Sequence, residues 1–506
     1  MPRHSITGYV VAATKPQPCV TWVRPPLSNS SGINVTVTEP RPSGSVHGPE
    51  SPKPVPAPCP IFTGLIRVVH DKGMPKRRLL LCLLIGILPA ADKNPRDQIG
   101  DRAGKPMAPA GAQPRRPFSL PAGITLDDPL TADDAVAIAL WNNTALEADL
   151  AGIAPALADV RNAGLRLNPT IQSLLPIGPK PFEFLLNWPI DDLWQRKKRI
   201  LAAQQSFAVI GAGLVQNGIN LVRDVRLAHA DLWLAQARQK ALAESAALRL
   251  RIAQLTGKRR EAGDASGLDV GLASTDAESA AELANRATGD IEIAQSRLRA
   301  ILGIRDNPRP LTARNRVAWP AVAAASELVE AAYAGRPDLR SAELQIEANA
   351  YRAKWQRSRI FSLVMPLLNI KEIGTPLQTR SGPGLQLELP IFNRNQGQID
   401  RAGAEVVQAA WRYAALRDRV EQEVRESITR WDQSRLAVEQ LRTQVRPALE
   451  QSIQQSETIF KNGDASYLNV LESTRLRYDV MLRELDAEAA MVRAFAELER
   501  AIGKKL

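Results

Sequence analysis

Apolar and polar positions change period along this chain, and the changes come in two matching sets. From Thr131 to about Leu165 apolar residues recur at helical spacing (Val136, Ile138, Ala139, Leu140, Leu146, Leu150). Thr131, Asp133 and Asp134 suit its N-terminal cap, and Pro155 is expected to kink or break it. Residues 168–190 differ: Pro169, Pro176, Pro179 and Pro181 exclude helix, and Phe184 to Ile190 has the twofold period of a strand. Residues 193–262 then run without proline, rich in Ala, Leu, Gln, Arg and Glu. At about 1.5 Å per residue they predict a helix about 100 Å long, weakened early by Gly211, Gly213 and Gly218. After a short break the helical pattern resumes to Leu302, and Asn307-Pro308-Arg309-Pro310 and Trp319-Pro320 mark a linker.

The second set repeats the plan: a helix over 326–360, strands over 361–391, a helix over 395–462 interrupted by Pro447, and a helix over 466–502. Leu385, Leu387, Leu389 and Ile391 alternate with Gln386, Glu388 and Pro390. At an offset of 201, Phe184, Leu186, Trp188 and Ile190 fall on the same apolar face. The partner strands are expected at 170–177 and 361–370, joined through Gly178-Pro179 and through a longer polar connection, 371–383.

The breaks between the long helices are also paired. Gly263-Asp264-Ala265-Ser266-Gly267-Leu268-Asp269-Val270 answers Gly463-Asp464-Ala465-Ser466-Tyr467-Leu468-Asn469-Val470 at an offset of 200. Each reads as the tip of a helical hairpin, with glycine reversing the backbone and Asp or Ser capping the next helix. Arg299-Ala300-Ile301-Leu302-Gly303 is echoed by Arg500-Ala501-Ile502-Gly503, and Asn142-Asn143-Thr144-Ala145-Leu146 by Gly335-Arg336-Pro337-Asp338-Leu339. The chain therefore holds two copies of one helix–strand–strand–helix–helix unit, over 130–304 and 326–506, with 305–325 between them.

Composition separates what precedes the repeats. Residues 1–73 are rich in Pro, Ser, Val and Gly without helical period. Residues 74–91 run from Met74-Pro75-Lys76-Arg77-Arg78 through ten apolar residues to Pro89-Ala90-Ala91, the pattern of a secretory signal peptide and too short to span a membrane as a helix. Translation is accordingly expected to begin at Met74, with 1–73 a mis-assigned upstream extension or else a disordered N-terminal one, and 92–129 reads as an extended N-terminal arm. Residues 1–90 hold ten Lys and Arg against three Asp and Glu, so the remaining 55 basic and 50 acidic residues carry a net charge of only +5. That balance calls for no nucleic-acid partner. All three cysteines precede residue 91, as do three of the four histidines. The remaining histidine, His229, lies in a helical stretch and reads as packed or solvated rather than catalytic. No phosphate loop, nucleophile set or metal-ligand spacing appears, so the sequence predicts no enzyme, cofactor or metal site.

Two short hairpins per chain leave sheet edges that must pair, and a membrane requires every edge to be closed. Four strands cannot close a barrel alone, so the strands are expected to come from several chains, apolar side outward. In this order and duplicated, the Gly-Arg-Pro-Asp-Leu run at 335–339, the Leu-Pro-Ile-Phe ending at 389–392 and the two tips resemble the TolC-like outer-membrane efflux proteins over residues 130–506.

The resemblance implies a mainly α protein with a small membrane β-barrel portion, assembled as a homotrimer with twelve strands and a long periplasmic helical barrel. It implies a passive duct in the outer membrane, fed by an inner-membrane pump through a periplasmic adaptor. Carried over to this sequence, it places adaptor docking at Gly263, Asp264, Ala265, Ser266 and Leu268 and at Gly463, Asp464, Ala465, Ser466 and Leu468. It places the entrance constriction at Asp269, Asn469 and Glu472, where Asn469 departs from the family's acid. Phe184, Leu186, Trp188, Leu385, Leu387 and Leu389 are expected to face lipid. A periplasmic coiled-coil scaffold or the adaptor itself are the alternatives; the minimal β content argues against the adaptor.

Overall fold

The computed structural model describes residues 94–108, 118–175, 182–305, 307–315, 319–360, 364–373, 378–461 and 467–506. The expected signal segment and upstream extension lie outside them, as do Gly463, Asp464, Ala465 and Ser466.

The segment expected to be an extended arm contains a helix, α1 (Pro95–Ala103). Asn94 caps it by accepting the Arg96 N–H, Pro95 opens it, and Gly104 closes it in the left-handed region at φ 67°. The first repeat then builds α2 (Ala132–Asn142), α3 (Thr144–Ala151), α4 (Ile153–Gly164), β1 (Thr170–Leu174), β2 (Glu183–Asn187), α5 (Asp192–Glu261) and α6 (Gly267–Leu302). The breaks fall at Asn143 and Gly152, not at Pro155, which sits in the first turn of α4 where its missing N–H costs nothing. Thr131 forms the predicted cap, with Asp134 returning the bond to its backbone. The early glycines do not break α5, whose 70 residues are continuous.

The second repeat gives α7 (Ala325–Gly335), α8 (Pro337–Ser358), β3 (Val364–Ile373), β4 (Gln378–Leu387), α9 (Gln396–Gln440), a π turn (Leu441–Val445), α10 (Arg446–Lys461) and α11 (Tyr467–Ile502). The predicted interruption at Pro447 takes the form of that π turn: the ring crowds the preceding turn and supplies no N–H, and the wider ladder just before it accommodates both. The polar connection expected at 371–383 is mostly strand, because β3 and β4 pair in register from Val364↔Leu387 to Ile373↔Gln378.

The four strands form one antiparallel sheet in chain order, with β2 of the first repeat bonded to β3 of the second. Each repeat carries its own core. In the first, Ile138, Leu140, Leu298 and Leu302 pack with Ile99 of α1; in the second, Leu339, Val424, Leu498 and Ile502 pack beside a Trp319–Trp431–Phe495 aromatic trio. Along α6 the buried positions Ala273, Ala280, Ala287 and Ala294 recur every seven residues, a narrow seam of small side chains that lets a neighbouring helix approach closely.

The duplication holds at atomic detail. Asn143 Nδ2 donates to the Ile301 carbonyl at 2.7 Å, and Arg336 Nη1 donates to the Ala501 carbonyl at 3.1 Å. Gly303 and Gly503 end α6 and α11 at φ 75° and 82°; a Cβ on Gly303 would stand 2.3 Å from the Asn142 carbonyl oxygen. The same sequence match thus closes each repeat, through an amide in one and through a guanidinium, held also by Asp338 and Glu423, in the other.

Candidate functional site

The first hairpin tip follows from its residues. Gly263 adopts φ 87°, its N–H reaches the Arg260 carbonyl at 3.0 Å, and the Asp264 N–H reaches the Arg259 carbonyl at 2.8 Å. These two hydrogen bonds end α5 and reverse the chain. Ser266 Oγ then accepts the Asp269 N–H at 3.1 Å while Asp269 Oδ2 accepts the Ser266 N–H at 3.0 Å. Asp269 is therefore the capping acid of α6, and its hydrogen bonds with Ser266 hold its carboxyl below the ordinary range. It stays charged, so capping and a charged entrance are compatible on this residue. Leu268 beside it is exposed. In the second copy Leu468 and Asn469 belong to the first turn of α11.

Above the tips a buried carboxylate ties the two hairpins together. Asp276 on α6 accepts from Arg249 Nη1 of α5 at 3.0 Å and from Arg475 Nε of α11 at 3.1 Å. Its side chain is 4% exposed. Glu472, one turn before Arg475, is 76% exposed and 4.0 Å from that arginine. Of the expected constriction set, Glu472 thus presents an outward charge. Asp276, Arg249 and Arg475 were absent from that set; only their helical spacing among other charges signalled them, which does not separate one pair from many.

At the other end, the register puts Phe184 opposite Ile370, Leu186 opposite Leu368, Leu385 opposite Pro366 and Leu387 opposite Val364. These and Ile171 share one face of the sheet, and Ile171, Leu368, Leu385 and Leu387 are exposed on it. At the helix end the strands stop earlier than expected: Leu389 lies beyond β4, and Trp188 lies beyond β2, although its N–H still reaches the Pro366 carbonyl at 3.1 Å. Gln172, Asn187, Asn369 and Gln386 lie on the opposite face. Among the described residues no helix is long and apolar enough to cross a membrane, and no group of three or more His, Cys, Asp or Glu is placed to hold a metal.

A bundle of very long hairpins carrying a small sheet with one greasy face matches a described family: residues 182–304 and 328–504 fit the outer membrane efflux proteins. The chain belongs to that family. Among curated proteins, this efflux protein is 24% identical over 379 residues to the cobalt-zinc-cadmium resistance protein CzcC of Cupriavidus metallidurans, covering 74% of this chain and 90% of that one. Its fold is shared with the solved structure of CusC at TM-score 0.63 and 20% identity, over 79% of this chain and 99% of that one. The Campylobacter jejuni CmeC outer membrane channel superposes at TM-score 0.61 with 14% identity, over 74% and 85% of the two chains. The sheet and hairpins of this efflux protein are therefore those of a channel fold, in the arrangement its repeats predicted.

Proposed function

We propose that three copies of this chain assemble into a passive outer-membrane duct, fed by an inner-membrane pump through a periplasmic adaptor that meets the hairpin tips. The observation that carries this reading is the four-stranded sheet: one face is mostly apolar, with Ile171, Leu368, Leu385 and Leu387 exposed and with Ser173, Glu372, Thr379 and Ser381 toward its far end, and β1 and β4 have no further strand beside them among the described residues. Three such sheets joined β4 to β1 supply twelve strands and leave no edge open. The long helices descend from the opposite end of the sheet, and their tips carry exposed Leu268 and the charged Asp269 and Glu472. A ring of such acids at the entrance favours cations.

CzcC is named for resistance to cobalt, zinc and cadmium, so these divalent cations are the first cargo to test. Deleting this chain should make cells accumulate them, and reintroducing it should restore export. A bulky or charged residue in place of Gly463 should abolish export while trimers still form on non-denaturing gels. Normal export by that variant would reject the tip assignment, and a monomer in detergent would reject the duct.

A further inference from the structure

The sheet carries a feature that the lipid-facing reading does not use. Antiparallel pairing aligns Leu174 with Glu183, Glu183 with Lys371, and Lys371 with Arg380, so these four residues form one row across all four strands. The row lies on the face opposite Leu385 and Leu387, which carries Gln172, Asn187, Asn369 and Gln386 beside Leu185, Met365 and Leu367. Glu183, Lys371 and Arg380 are the charged residues that the four strands place on this face, and they are gathered at a single level. That level is the far end of the sheet. Glu183 begins β2, and Lys371 and Arg380 flank the β3–β4 connection, whereas α4, α5, α8 and α9 all join the sheet at its other end. Glu183 is partly occupied, its Oε1 accepting from Asn369 Nδ2 at 2.8 Å. Arg380 is exposed and Lys371 half-buried.

We propose that Glu183, Lys371 and Arg380 form a net-positive collar inside the outer mouth of the duct, which favours anions over cations there and so opposes in charge the acidic entrance at the tips. The proposal rests on the trimeric duct reading. Three copies bring six cationic and three anionic side chains to one ring. A twelve-stranded barrel with strands about 4.8 Å apart and tilted about 40° is about 24 Å across its backbone. At about 0.1 M salt the Debye length is about 10 Å, so wall charges reach most of that lumen; at about 1 M, with a length of about 3 Å, they do not. The collar therefore acts as a salt-dependent filter rather than a binding site.

The test is ion selectivity of the full-length trimer in planar bilayers, read as the reversal potential across a tenfold KCl gradient. In salt near 0.01–0.1 M the collar's field spans the lumen. There, Lys371→Gln with Arg380→Gln should move the reversal potential toward cation preference, and Arg380→Gln alone should move it part of the way. Glu183→Gln, which keeps the bond with Asn369 available, should move it in the opposite direction. All three shifts should shrink near 1 M salt. Shifts of opposite sign are not produced by a general loosening of the barrel, so they carry the proposal even if one variant inserts poorly. Unchanged reversal potentials, or shifts of the same sign in all variants, would overturn the collar while leaving the duct intact. Trimers that insert and pass no current would instead reject the duct, and the collar with it.

Discussion

His229 shows how a single side chain was legible in kind but not in consequence. A lone histidine in a helical stretch reads as packed or solvated, and it is packed: 3% exposed on α5, with Nε2 donating to the Leu130 carbonyl at 2.8 Å. The carbonyl also accepts the Arg314 N–H at 2.9 Å, so the residue pins the start of the first repeat and the inter-repeat linker at one point. Burial lowers its pKa, against the opposing pull of the Leu130 carbonyl and of Asp134. A depressed folded value means that the unfolded chain takes up a proton first. Stability is then held in full above the unfolded value near 6.5 and lost as pH falls from there through the lower folded value. Thermal unfolding followed from pH 7.5 to 5 should show a falling midpoint, and His229→Phe should flatten that part of the profile. A variant with the wild-type slope would remove His229 as its source. The tip acids teach a related lesson. Sequence leaves the hairpin cap open between Asp and Ser; Ser266 takes it, and Asp269 returns the bond because the residue three after the cap reaches back to its N–H.

The elements that sequence fixes well are those with long, uninterrupted periodicity. The expected helices at 193–262 and 466–502 match α5 and α11 within a residue at each boundary, and each is followed by a glycine of positive φ, Gly263 and Gly503, that stops it. Charges at helical intervals suit a solvated or an inter-helix face, and both occur: Arg430 and Glu426 pair within α9 on an exposed face, while other pairs join helices. Asp231 pairs with Arg493, Arg238 with Asp486, and Arg249 and Arg475 share Asp276. Successive partners advance by seven and then about eleven residues on α5 and α11 in opposite directions, close to two and three helical turns. What escaped is the nine-residue α1, whose Asn-Pro start and Gly stop are too brief to stand out against the Pro- and Lys-rich residues around it. It is a clasp between the repeats. Ile99 is buried on α5, Arg96 pairs with Glu147, and Arg102 Nη1 donates to the Gly335 and Gly503 carbonyls at 2.6 and 2.7 Å. Gly218 makes the seat, because a Cβ there would stand 2.6 Å from Ile99. Gly218→Val should therefore lift α1 and cost about 1–3 kcal/mol, the usual range for overpacking. Limited proteolysis should then cut near residues 95–103 before the long helices; equal protection in both proteins would mean that α1 does not depend on that seat.

For the whole molecule, the decisive question is which side of the sheet meets lipid, and alternation turns it into a proposal that a single substitution can challenge. Leu387 lies on the apolar face opposite Val364, and Gln386 lies on the other face opposite Met365. The two are adjacent in the chain, at the same depth and in the same strand, so backbone effects of a substitution should be nearly equal. Their environments should not be. A charge on the lipid side of a barrel costs about 2–4 kcal/mol for Lys or Arg at the midplane and about 0–1 near the interfaces, less for Asp, whereas the water-filled interior tolerates charge; Leu387, the last residue of β4, belongs at the lower end of that range. In a trimer the cost is incurred once per copy, so even a modest penalty at each site compounds across the ring. Leu387→Asp should therefore sharply reduce the fraction of chain recovered as outer-membrane trimer, and Gln386→Asp should leave it near wild type. If both variants insert equally, the apolar face is packed on protein rather than lipid, and the twelve-stranded closure loses its reason. If only Gln386→Asp fails, the barrel stands but is turned inside out, and the polar row of Glu183, Lys371 and Arg380 would face the wrong medium. The two substitutions together thus test the orientation on which membrane insertion, assembly and selectivity at the outer mouth all depend.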